Sequence, residues 1–166
     1  LTLIPAVRAD RKWIDTVHDP TYVNRFEEIC LSGNKTFDYP DNQMCVDTYE
    51  TAYLAVGGII DTARRIMVGE LDNAFCAVRP PGHHAERDQA MGFCYFNNIA
   101  ICAEYLLKKE DYKRILILDF DVHHGNGTQA ILEEDPNIMF VSSHQYPFYP
   151  GTGAAYEIGT GPAEGT

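Results

Sequence analysis

Apolar residues in this chain follow two rhythms. Residues 74–78 (Ala-Phe-Cys-Ala-Val), 115–118 (Ile-Leu-Ile-Leu) and 138–141 (Ile-Met-Phe-Val) are short unbroken runs. Their length and continuity predict strands buried on both faces of a parallel sheet, the last over 137–143. The stretches between them are spaced for helices. Asp19-Pro20 is a helix start, with Asp as N-cap and Pro at the first helical position. Tyr22, Val23, Phe26, Ile29 and Cys30 then share one face, and Gly33 ends the helix. Asp47 and Glu50 have capping-box spacing. Behind them Tyr49, Tyr53, Val56, Ile60, Ala63 and Met67 mark a long amphipathic helix that ends near Gly69. Gly57-Gly58 within it lowers helix propensity, which implies close packing there. A helix over 97–108 is predicted to turn Ile99, Ala103, Leu106 and Leu107 inward, and a short helix to cover 128–134. Residues 13–17 suit a helix or a strand equally, and the polar stretch 35–44, interrupted by Pro40, reads as a loop. Strands alternating with helices define an α/β layout with one active edge.

Each apolar run gives way at once to polar or aromatic residues. The first leads to Arg79-Pro80-Pro81-Gly82-His83-His84-Ala85-Glu86, the second to Asp119-Phe120-Asp121-Val122-His123-His124-Gly125-Asn126-Gly127. The third leads through Ser142-Ser143-His144 to the aromatic turn-rich stretch 146–153. Ligands of open α/β sheets bind outside the carboxyl ends of the strands, which is where these residues fall. Asp121 and His123, two apart in an extended segment, point to one side and make the beginning of a zinc or other divalent site. Asp119 and Asn126 suit the second nitrogens of nearby histidine rings, fixing tautomer and basicity. The plainer reading of either stretch is a polar loop with a helix cap. Two such stretches at one sheet edge outweigh it. Metal, water, a histidine base and an aromatic slot together suit hydrolysis of an amide on a slim substrate.

Composition narrows this modestly. The 166 residues suffice for one domain with a core. A formal net charge of −11 argues against direct nucleic-acid binding and is compatible with cationic substrates. No apolar run is long enough to span a bilayer and no signal-peptide pattern opens the chain, so neither a membrane nor secretion is expected. Cys30, Cys45, Cys76, Cys94 and Cys102 form no CxxC pair and suit free thiols in a reducing compartment. An intracellular, cytoplasmic location follows, nuclear if the source is eukaryotic.

The stretches Arg79 to Ala85, Gly92-Phe93-Cys94-Tyr95-Phe96-Asn97-Asn98, Asp119 to Gly127 and Pro150-Gly151-Thr152-Gly153 resemble the zinc-dependent histone deacetylase family. That family also includes acetoin-utilisation proteins and acetylpolyamine amidohydrolases. The resemblance runs from about the first helix to the chain's end. It implies the arginase/deacetylase fold, a three-layer α/β sandwich with a mainly parallel sheet. It also implies removal of acetyl or other acyl groups from lysine side chains or similar amines by a metal-bound water. His84 resembles the general base and His83 its electrostatic neighbour, paired with Asp119. Asn126 stands where the family has an acid or amide partner for the second histidine, and an amide there should leave that histidine less basic. Asp121 and His123 resemble two of three zinc ligands, and His124 is a motif residue with no ligand role. Gly92, Phe93 and Tyr149 match the acyl-lysine tunnel, Tyr149 standing where Phe is frequent. Backbone carbonyls of Asp119, Asp121 and His123, with Ser142, match a monovalent cation site, usually potassium. Asp41 and Asp47 are both candidates for the family's rim aspartate.

The expected partners are acetylated lysine in a peptide or protein, or an acetylated polyamine. Two rivals remain. A two-manganese ureohydrolase needs a further acid two positions after His123, where Gly125 stands. A non-catalytic acyl-lysine-binding fragment is the other. Both ends of the chain read as cut. The third zinc ligand and the oxyanion tyrosine are expected beyond Thr166, and the first strand before Leu1. Residues 1–166 alone are therefore expected to be inactive and to self-associate through an open sheet edge.

Overall fold

The computed structural model describes residues 2–165. In chain order these form α1 (Arg11–Ile14), α2 (Pro20–Leu31), β1 (Thr36–Phe37), β2 (Tyr39–Gln43), α3 (Thr48–Met67), α4 (Asn98–Lys109), β3 (Ile115–Asp119), α5 (Asn126–Leu132) and β4 (Ile138–Ser142). A 3₁₀ turn, Gly161–Ala163, follows.

The helices begin where local chemistry starts them. The Asp19 side chain accepts from Thr21 N and Pro20 opens α2. Asn97 caps α4 by accepting from Ala100 N. The capping box predicted at α3 does not form: Asp47 makes no side-chain cap bond, and Thr48 Oγ1 instead accepts from Cys45 N at 2.9 Å. Residues 13–17 resolve as the short helix α1 and the turn after it. The predicted loop at 35–44 is an antiparallel hairpin, with Phe37 paired to Tyr39 and Thr36 to Gln43 across an irregularity. Pro40 is tolerated because this two-stranded ladder leaves edges free.

The core lies among α2, α3, α4 and the hairpin, and it is aromatic. Phe26 stacks on Tyr95 with centroids 4.8 Å apart and meets Phe96 edge-on at 5.5 Å; Phe37, Tyr49 and Tyr53 close the cluster. In α4 the buried face runs through Ala100, Ile101, Ala103 and Tyr105, while Ile99 is exposed and Leu106 and Leu107 are half-buried. The inward face of α4 therefore includes Ala103 as expected but is rotated away from Ile99.

β3 and β4 pair in parallel, Ile115 with Ile138 through Asp119 with Ser142, and α5 is the crossover between them. Burial alternates along β3: Ile117 is buried against the helices, whereas Leu116 is 66% and Leu118 61% exposed. The expectation of burial on both faces is thus corrected, because the described residues put helices on one face only. The strand expected at 74–78 is likewise absent. These residues find no ladder partner among the described residues, and Phe75 is 92% exposed. No helix among the described residues is long and apolar enough to cross a membrane. All five cysteines are free.

Candidate active site

Three connections meet at the carboxyl end of β3. One carries His83 and His84, the second follows β3 directly, and the third runs from β4 to Gly153. His83 Nδ1 donates to Asp119 Oδ2 at 2.8 Å. His84 Nδ1 donates to Asn126 Oδ1, also at 2.8 Å. The two rings lie 4.0 Å apart by centroid. Burial alone would raise the Asp119 carboxyl, but donation from His83 and from Asp121 N offsets it and leaves the group below its usual range. Burial, then the neighbouring His83, pushes His84 down to about 4 against the pull of its bond to Asn126. His84 is therefore a neutral imidazole at neutral pH, able to take up a proton.

Asp121 and His123 stand beside this pair. Asp121 Oδ1 accepts from His123 N at 2.8 Å and lies 3.2 Å from His123 Nδ1, so carboxylate and imidazole converge on one space. The His123 ring is 6.0 Å from that of His84. A carboxylate oxygen and an imidazole nitrogen are zinc donors in kind. In number they are incomplete: among the described residues no third His, Cys, Asp or Glu joins them. A Cβ at Gly125 would lie 2.5 Å from Asp119 Oδ2, so the bridging acid of a two-manganese site does not fit there.

The aromatic slot sits above. Gly92 has φ +55°, and a Cβ on it would be 2.3 Å from His84 Cδ2, so only glycine lets this loop lie on the imidazole. Phe93 follows, also left-handed at φ 66° and 53% exposed, its N–H held by Asn42 Oδ1 at 2.9 Å. Tyr149 meets His84 edge-on at 5.1 Å and His123 at 5.6 Å. Burial, then the charge of Asp41, pushes its phenol up to about 12. Asp41, one of the two rim candidates, is thus close enough for its charge to act on the Tyr149 phenol.

Ser142 pairs with Asp119 in the ladder, and its hydroxyl bonds to His144 Nδ1 at 2.8 Å. His144 Nε2 donates to Gly153 O at 2.9 Å, tying down the loop that carries Tyr149. His124 is buried, pairs with Thr152 Oγ1 and packs against the His144 ring at 4.6 Å.

Sequence reasoning gave no role to several supporting residues. Asn42 holds Phe93. Fully buried His18 accepts from Asn97 N through Nε2, and Asn97 Nδ2 donates to Ala85 O, which anchors the His83-His84 loop. Glu86 Oε1 accepts from Asn126 Nδ2 at 2.8 Å. Glu86 was visible beside the histidine pair; Asn42 and His18 carry no local signal, because their partners lie 51 and 79 residues away.

Two partnered histidines thus stand beside a carboxylate–imidazole pair at the carboxyl end of a parallel strand pair, with the Gly92 loop and Tyr149 against the His84 ring. A model of the histone deacetylase domain matches residues 1–166, and the chain belongs to the histone deacetylase family. It is similar to a probable deacetylase of Archaeoglobus fulgidus, 43% identical over 165 residues, covering 99% of this chain and 45% of that protein. It is 53% identical over 117 residues to human histone deacetylase 9, covering 69% of this chain and 12% of that protein. With histone deacetylase 5 of Arabidopsis thaliana it is 42% identical over 175 residues, covering 95% and 26%. The crystal structure of the HDA15 HD domain superposes with a TM-score of 0.91 at 37% identity, covering 97% of this chain and 46% of that one. The fold is therefore the arginase/deacetylase α/β sandwich in part. The chain spans less than half the length of these curated relatives.

Proposed function

We propose that the protein carrying this chain is a zinc-dependent amide hydrolase that removes acetyl or related acyl groups from lysine side chains or similar amines. The observation that carries the reading is His84. It is buried, its Nδ1 is engaged by Asn126, and its ring is 6.0 Å from that of His123 beneath the Phe93–Tyr149 slot. With Nδ1 occupied, Nε2 is the atom that takes a proton from the attacking water, and it can later return that proton to the leaving amine. His83, fixed by Asp119, lies within one ring contact of His84 and stabilises the site as charge moves. Asp121 and His123 would hold the zinc together with a further protein donor from outside the described residues. When bound, zinc polarises the amide carbonyl and acidifies water. Gly92, Phe93 and Tyr149 admit a slim acyl chain and exclude bulk water from it. Carbonyls of Asp119, Asp121 and His123, with Ser142, are the proposed monovalent cation site.

Acetyl-lysine in a peptide or protein is the favoured substrate, with acetylated polyamines as the other amine carrier. The acidic chain and Asp41 near Tyr149 support a cationic carrier in either case. The test is turnover of an acetyl-lysine peptide and of an acetylated polyamine by the protein produced from its complete gene, with zinc content measured. Stoichiometric zinc with no hydrolysis of either substrate would reject the reading.

A further inference from the structure

The role given to His84 depends on which ring nitrogen carries hydrogen, and the His84–Asn126 pair does not decide this alone. An amide can turn either its oxygen or its nitrogen toward Nδ1 in the same space. With oxygen inward, Nδ1 carries the hydrogen and Nε2 has its lone pair free. With nitrogen inward, Nδ1 must accept, Nε2 carries the hydrogen, and the ring cannot take a proton at the reacting side.

The far side of the amide breaks the tie. There the Asn126 end group meets Glu86 Oε1 at 2.8 Å and Met91 Sδ at 3.6 Å. An ionised carboxylate and a thioether only accept, so that end must be the NH₂ and the oxygen must face His84. Glu86 is itself well held. Its N–H donates to Gln89 O at 2.9 Å, and the next carbonyl, Arg87 O, accepts from Asp19 N and from His18 Nδ1. We propose that Glu86 is a positioning residue. By accepting from Asn126 it sets the direction of the amide, and so keeps His84 in the Nδ1–H tautomer with Nε2 bare. The proposal rests on the reading of His84 as base in amide hydrolysis.

Substitutions that change donor for acceptor test it directly. An ammonium only donates, so Glu86→Lys should reverse the amide and put the hydrogen of His84 on Nε2. Adding Asn126→Asp supplies a side chain that accepts on both sides, from the lysine and from His84 Nδ1–H, and should restore the tautomer. The experiment uses the protein from its complete gene, loaded with zinc and labelled with ¹⁵N in histidine. The His84 nitrogen shifts report the tautomer, and kcat and KM on an acetyl-lysine peptide report the consequence. Expected are Nδ1–H in the wild type, Nε2–H in Glu86→Lys with kcat down on the order of a hundredfold and KM little changed, and recovery to within about tenfold in the double variant. Glu86→Leu, which removes the direction without reversing it, should give mixed tautomers and serves if the lysine variant does not fold. An Nδ1–H tautomer that persists in Glu86→Lys or Glu86→Leu would overturn the proposal, as would a kcat loss that Asn126→Asp does not recover. Wild-type protein that fails to turn over substrate, yet shows these tautomer changes, would reject the hydrolase reading and leave the positioning role standing.

Discussion

At the residue scale the site separates two kinds of histidine. His84 is the base in the proposed reaction, and replacing it by alanine should lower hydrolysis by on the order of a hundredfold or more. Zinc content should stay intact, because the proposed donors are Asp121 and His123 and not His84. Metal lost along with activity would place His84 among the ligands instead. His18 is the structural kind. It is fully buried, its Nδ1 donates to Arg87 O and its Nε2 accepts from Asn97 N, so both nitrogens are used only when the ring is neutral. Burial holds its pKa down to about 4. An unfolded chain protonates this histidine below about 6.5, where the folded one does not. The unfolded state therefore binds the extra proton, and stability falls as pH drops from about 6.5 to about 4, by roughly 3 kcal/mol in all, then no further. Denaturant unfolding at pH 7 and pH 4.5 should show this loss. In His18→Gln, overall less stable, this part of the slope should vanish; an unchanged slope would assign the pH dependence to other groups.

At the element scale, what the sequence made legible was what local chemistry decides. Asp19-Pro20 opens α2, the period of Tyr49, Tyr53 and Val56 identifies α3, and the polar residues after residue 118 locate the site. The failures share a cause: each needed knowledge of a distant partner. Residues 74–78 are apolar enough for a strand but have no ladder to join among those described. The hairpin at 36–43 is polar and holds Pro40, yet it forms because Asn42 bonds both Phe37 O and Phe93 N, pinning it to the slot loop. The site was legible for the same reason as the helices, since its histidines, acids and glycines sit in two short stretches. Its supports were not. The glycine pair in α3 gives a test at this scale. A Cβ at Gly57 would lie 1.9 Å from Val7 O, whereas at Gly58 the nearest atom is Ala6 Cβ at 3.3 Å. Gly57→Ala should push the N-terminal segment off the helix and cost about 1–3 kcal/mol. Gly58→Ala should be close to neutral, because the helix gains about 1 kcal/mol of propensity against a contact that can give. Thermal melts that rank the two variants the other way would show that the segment before α1 does not pack as described.

At the scale of the whole molecule, one face of the β3–β4 pair is apolar and exposed among the described residues. Leu116 and Leu118 project from it, and Phe120 and Val122 extend the apolar surface beyond the strand. Ile59, Pro81 and Ile99 join Leu118, Phe120 and Val122 around an adjoining cleft of about 590 Å³, which His83 and Asp119 also line. A contiguous apolar surface of this kind, beside unpaired strand edges, promotes association. The HDA15 HD domain is about twice as long as this chain by the 46% of it that is covered. Expressed alone, residues 1–166 are predicted to self-associate, and the apparent mass in sedimentation or light scattering should rise with concentration. Leu116→Lys combined with Leu118→Lys should suppress that rise, since two ammonium groups on the face cannot be buried against a second copy without large desolvation cost. Neither side chain is in the buried core, so the helical circular dichroism of the isolated chain should be retained. A chain that stays monomeric at every concentration without the lysines would show that the exposed face is not sticky enough to govern its behaviour.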